Sequence, residues 1–277
     1  MTEQQQALAV DTTEEPVQEP PAPEDRRVLR AVLRWTAAVA VFAVAGAGTA
    51  YGITRMERTD VPGLATRSDG RWDYPPLTKP PLPSGSPGPA AESNPAGTHH
   101  ADLRALLLPL PKGAKENEAL RGADGWLPTA EFLTEFAERT DREELRQRLV
   151  DGGLRHIAAR GWTTRDGTRT RIYLLRFDTA AMVKRHFHGV IFPYHSPVHR
   201  VRGTEHVVND EDFPAAAEVT GVQPVIYDET APRGAEHDRQ AYLAAGDVLA
   251  VVLQSRKGTA HAVPFQQTVV LQSQLLG

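Results

Sequence analysis

The chain has 277 residues, a formal net charge of −4 and no cysteine. Lack of thiols excludes disulfides, cysteine nucleophiles and thiolate-ligated zinc, and so small a charge argues against a nucleic-acid partner. About a hundred residues read as tail, membrane span and tether, leaving about 180 for one folded module with a single core.

Residues 1–27 are rich in Gln, Glu and Pro without apolar periodicity, and they read as a disordered cytoplasmic tail. A transmembrane helix is expected over 28–55. Residues 35–54 carry no charge, and at 1.5 Å per residue they cover about 30 Å, the thickness of a bilayer's hydrocarbon core. Arg26, Arg27, Arg30 and Arg34 precede this stretch, whereas Arg55 and Arg58 follow it beside Glu57 and Asp60. The positive-inside rule therefore puts the N-terminus in the cytoplasm and the C-terminal module outside. Trp35 and Tyr51, about 24 Å apart on a helix, suit the two headgroup levels. A cleaved signal peptide and a soluble core helix are the alternatives, but a leader of more than about thirty residues is long for a signal peptide. Gly48 and Gly52 have the spacing that lets two helices approach closely, which would make a homodimer.

Residues 56–98 read as an extracytoplasmic linker. The run PPLTKPPLPSGSPGPAAESNPAG, Pro75 to Gly97, is expected to stay extended, since proline fixes φ and removes backbone donors. At about 3.1 Å per residue it would reach about 70 Å from the bilayer. His99-His100 reads as a loop pair or helix lead-in at the start of the module, 99–277, and Asp102–Leu108 as a short helix or apolar segment halted by Pro109 and Pro111.

Within the module, Pro128-Thr129 is expected to open a helix carrying Phe132, Leu133 and Phe136. Thr140-Asp141-Arg142-Glu143 has the capping-box pattern, so a second helix should start there, present Leu145 and Leu149, and end at Gly152-Gly153. His156–Thr163 and Thr170–Phe177 flank Arg165-Asp166-Gly167, a hairpin signal, with Tyr173, Leu175 and Phe177 on one buried face. Asp178 is the expected cap of a helix with Ala180, Val183 and Phe187. The order recurs: Val222–Tyr227 as an outer strand, then Arg239–Ala244, a Gly246-Asp247 turn, the run Val248–Leu253, and a helix opened by Pro264. Two ββα units of this kind predict an α+β module, an antiparallel sheet with helices packed on it. Val248–Leu253 is apolar at every position, so it should be a central strand covered on both faces.

The stretch Gly161-Trp162-Thr163-Thr164-Arg165-Asp166-Gly167 and the following Ile172–Ala181 resemble the PsbP-like, sensor-type extracytoplasmic modules of actinobacteria. Trp72–Pro76 and His99–Pro111 are similar to stretches of single-pass membrane proteins of Streptomyces-type bacteria. The resemblance covers about a hundred residues, brings no catalytic motif with it, and implies a non-enzymatic binding or sensing role outside the membrane.

His186, His188, His195 and His199 form the one cluster with metal-ligating chemistry, which would support a metal-binding protein or a metal-dependent envelope hydrolase. On a helix His186 and His188 point about 200° apart, and Lys184, Arg185 and Arg200 would repel a cation. Adjacent acids at Glu143-Glu144, Asp210-Glu211-Asp212 and Asp228-Glu229 read as solvated surface. No motif implies a cofactor. The expectation is a non-enzymatic protein of the cell envelope, anchored in the bilayer through 35–54, that binds a small ligand or another envelope protein.

Overall fold

The computed structural model describes residues 26–55, 68–186, 195–214, 217–230, 232 and 234–277. The chain divides after Arg67 into two units.

In the first unit, helix α1 spans Arg26–Arg55. Its stretch Arg27–Gly52, 26 residues, is long and apolar enough to cross a membrane, and none of it is buried. The hydroxyls of Thr36 and Thr49 donate to the carbonyls of Val32 and Ala45 at 2.8 and 2.7 Å, so these polar groups are satisfied within the helix, as a lipid environment requires. Trp35 and Tyr51 are exposed near the two ends, Arg30 and Arg34 project from the first turns, and the positions a Cβ would take at Gly48 and Gly52 are open.

The second unit, Ser68–Gly277, is built on a seven-stranded antiparallel sheet: β1 Lys115–Glu116, β2 His156–Thr163, β3 Arg169–Arg176, β4 Val207–Asn209, β5 Val222–Glu229, β6 Glu236–Ala245 and β7 Val248–Lys257. The spatial order is β1-β2-β3-β7-β6-β5-β4. The β2–β3 and β6–β7 hairpins thus lie side by side, joined through β3 and β7 with Tyr173 opposite Val251. Alternation along each strand divides the core in two. On one face Tyr173, Leu175, Leu249 and Val251 pack beneath α2 Thr129–Leu133, α3 Arg139–Asp151 and α4 Ala180–His186. On the other, Ile172, Leu174, Val248, Ala250 and Val252 pack beneath α5 Ala262–Leu276 and a 3-10 turn at Leu103–Leu106. β7 is therefore the covered central strand its sequence predicts.

The two strand–strand–helix units are not symmetric copies, because α4 and α5 cover opposite faces of the sheet. Strands β1 and β4 have only two and three residues and were not expected. α3 begins at Arg139 with Glu138 in the cap position, so Thr140 is already inside it. The start is set early because Ala137 is held to Arg200 by a backbone hydrogen bond of 2.9 Å. Thr179, not Asp178, reaches into the first turn of α4, its hydroxyl accepting from the Met182 amide, while Asp178 pairs with Arg155. Phe187 lies outside the described residues.

The Pro-rich segment does not stand off from the module. Residues 68–99 form a strap laid along it. Tyr74 packs edge-on to Trp162 at 6.4 Å, and its hydroxyl shares a 3.0 Å hydrogen bond with Thr268. Further on, Lys79 donates to the Gly277 carbonyl at 2.6 Å, and successive tight turns from Pro83 to Gly97 replace the expected extended run. Proline removes donors but does not prevent packing, and Tyr74 and Leu77 supply the apolar contact. The strap ends against the β6–β7 turn. Gly97 and Gly246 both have positive φ, and a Cβ on Gly246 would lie 2.1 Å from the Gly97 oxygen, so no side chain fits between the two turns.

Candidate functional site

α5 turns Phe265, Val269, Leu275 and Leu276 toward the sheet. Buried Gln272 pins the 3-10 turn from the same side, accepting from the Leu108 amide at 3.0 Å and donating to the Leu106 carbonyl at 2.9 Å. The opposite stripe of α5 lines a groove of about 580 Å³. Val263, Val270 and Leu271 with Pro214 and Ala217 make its apolar surface, and Gln266, Gln267 and Gln274 supply amides. The strap forms one wall through Asp69 and Arg71, which neutralise each other at 3.0 Å. That wall is fixed by a reciprocal pair: the Trp72 amide donates to Gln267 Oε1 at 2.8 Å, and Gln267 Nε2 returns a bond to the Trp72 carbonyl at 2.9 Å. A concave, largely apolar surface with a few placed amides is suited to binding a ligand.

A second polar region lies under the α2–α3 side of the sheet. Arg171 Nε is 3.1 Å from Glu135 Oε1, which also accepts from the Tyr173 hydroxyl at 2.5 Å. Arg169 pairs with Glu236 and reaches Ser255. Opposite Ser255 on β6 sits Asp238, 4% exposed, whose carboxyl takes no hydrogen bond among the described residues. Burial pushes that carboxyl up to about 7; Arg171 opposes the rise, and Glu229 and Glu236 add to it. Gln240 is wholly buried and accepts from Tyr242 at 3.0 Å, while its Nε2 has no partner among the described residues. The Tyr227 phenol is pushed up to about 12 by burial.

The acids around β5 depart from expectation. Glu229 is buried, its carboxylate accepting the backbone amides of Asp238 at 3.1 Å and Glu205 at 3.3 Å. Asp210 and Asp228 converge on the buried Arg239 guanidinium at 3.3 and 3.0 Å. Their oxygens neutralise a cation inside the fold instead of solvating a surface. Glu143 and Glu144 do lie outside, in one-turn pairs with Arg139 and Arg148.

Of the four histidines read as metal candidates, His199 is buried edge-on to Phe136 at 6.3 Å with Asp141 4.0 Å away, and burial pushes its pKa down. His195 is exposed. His186 closes α4, but its side chain and the whole of His188 lie outside the described residues. Among the described residues no three His, Asp or Glu side chains converge as a metal site.

The third polar centre was not legible at all. His99, read as part of a loop pair, is 3% exposed, with Nδ1 2.7 Å from Asp247 Oδ1 and Nε2 2.9 Å from the Leu276 carbonyl. Asp247, 1% exposed, also accepts the His99 amide at 2.9 Å and faces Arg176 Nε at 3.3 Å. Arg176 Nη2 in turn donates to the His99 carbonyl at 2.8 Å.

No family model matches the chain, and no curated protein matches it. Among solved structures, the extracellular domain of PknH from Mycobacterium tuberculosis is similar at 11% identity, over 47% of this chain and 68% of that one, with a TM-score of 0.29. So slight a likeness carries no argument. The actinobacterial resemblance rests on the quoted residues alone.

Proposed function

We propose that the chain is a membrane-anchored, extracytoplasmic binding module of sensor or accessory kind, whose groove along α5 takes an uncharged, partly apolar ligand or a matching segment of an envelope partner. The anchor is α1, with the arginine-rich side in the cytoplasm. The groove carries the reading: an apolar floor, three glutamines, and no net charge because Asp69 and Arg71 cancel. Amides satisfy peptide or hydroxyl groups in either direction, which favours recognition of a neutral polar chain. Asp69 and Arg71 face each other along the wall and compensate each other's charge, which supports a neutral ligand.

Photocrosslinking in the native membrane tests this with the full-length chain. A benzophenone amino acid at Val270 is expected to give a defined adduct, whereas the same group at Arg146, exposed on α3, gives none. Leu271→Arg should remove most of the Val270 adduct. Equal labelling at both positions, or none at Val270, contradicts the assignment.

A further inference from the structure

We propose that His99, Asp247 and the last turn of α5 form a proton-dependent clasp, which holds the end of the strap to α5 and loosens when the imidazole loses its second proton. The argument begins with acceptors. A carboxylate oxygen faces Nδ1 at 2.7 Å and a backbone carbonyl faces Nε2 at 2.9 Å. Neither partner can donate, so both ring nitrogens must, and only the imidazolium does so. Once neutral, the ring would set a lone pair against one of these oxygens. The Leu276 carbonyl belongs to the last turn of α5, where backbone acceptors lack intrahelical partners and the helix dipole favours a cation.

His237 gives an internal contrast. It is also buried, but its Nδ1 accepts from the Ala260 amide at 3.0 Å while Nε2 faces the Glu229 carbonyl at 2.8 Å. That arrangement is complete with a neutral ring.

Among the described residues, charged groups stand near His99 and its partners on four elements. Asp247 comes from the β6–β7 turn and Arg176 from β3. Lys79 of the strap is bonded to Gly277, next to Leu276. Lys184 of α4 lines a cavity of about 190 Å³ beside Gly246. Arg176 shares Asp247 with the imidazolium, so the buried carboxylate is already partly neutralised by a permanent cation. Loss of the His99 proton therefore costs the Leu276 bond first. The strap turn at Gly97 is tied to the same unit, since the Asp247 amide donates to the Gly97 carbonyl at 2.9 Å.

The clasp is independent of the groove, and its test does not involve a ligand. In the full-length protein in nanodiscs, ring nitrogen shifts of His99 should show both sites protonated at about pH 5.5 and one at about pH 8.5. Amide exchange of Gln272–Leu276 and Asn94–His99, corrected for intrinsic pH dependence, should become about tenfold faster across that step. Exchange in α3 should not change. His99→Gln should give the fast exchange at both pH values. A ring with one bare nitrogen at about pH 5.5, or a pH step that persists in His99→Gln, overturns the proposal. If the variant fails to fold, the ring shifts of the unaltered protein decide.

Discussion

Asp247→Ala is expected to lower the unfolding free energy by about 3 to 5 kcal/mol, the cost of removing one partner from a buried, hydrogen-bonded charge pair. The residue has one carboxylate and several dependants. Oδ1 accepts both the amide and the ring of His99, and Oδ2 faces Arg176. Alanine keeps the backbone bonds of Asp247 to Gly97 and Phe177 but leaves a buried imidazole and a guanidinium without their counter-ion. A domain's whole stability is about 5 to 15 kcal/mol, so the loss would be a large share of it. Denaturant titration of the full chain in micelles, followed by fluorescence of buried Trp162, measures it. Asp178→Ala, which breaks only the exposed Arg155 pair, should move the midpoint little. Equal effects from the two substitutions would contradict the role given to Asp247.

Asp238→Asn is expected to act in the opposite direction and to depend on pH. The carboxyl stands at about 7 in the fold against an ordinary 3.8. The folded protein therefore holds a proton that the unfolded chain has already released between those values. Stability from this group is intact below about pH 4 and falls as pH rises toward about 7, where the folded carboxyl ionises. Asparagine keeps the shape of the protonated acid without the proton to lose. At about 1.4 kcal/mol per pKa unit, the variant should be more stable by about 2 to 4 kcal/mol at about pH 8 and unchanged at about pH 4. Destabilisation at alkaline pH would show instead that an ionised Asp238 is held by Arg171 and Arg169.

The hairpins and the central strand were legible because their signals are local. Asp166-Gly167 and Gly246-Asp247 mark two turns, and Val248 to Leu253 leaves no polar face for solvent. The start of β6 was hidden. The strand was expected from Arg239, yet Glu236, His237 and Asp238 extend it, with Arg169 pairing with Glu236 and the Glu229 carbonyl facing His237. The strap was hidden for a different reason. Its proline content speaks for an extended chain, and only the tertiary contacts of Trp72 and Tyr74 with α5 show where that chain lies. His99 carries no pattern in sequence, since its partners stand 148 and 177 positions away. The groove shares this difficulty. The outward stripe of α5 looks like any amphipathic surface until Asp69, Arg71 and Pro214 are placed beside it.

Gly48 and Gly52 show how far a motif reaches by itself. Both glycines leave open space on α1, which permits a close helix–helix approach without specifying a partner. The His186–His199 cluster is similar in kind: His199 is buried against Phe136, and His188 lies outside the described residues. The groove and the His99 contacts instead bring together groups that are far apart in sequence.

Placement in the membrane is tested most directly by protease treatment of intact cells expressing the full-length chain, followed by alkaline carbonate extraction of their membranes. The account predicts that the protein stays in the carbonate-washed pellet and that external protease removes the module, 68–277, leaving α1 with its cytoplasmic tail. Release of the chain by carbonate, or a module untouched by external protease, would contradict it.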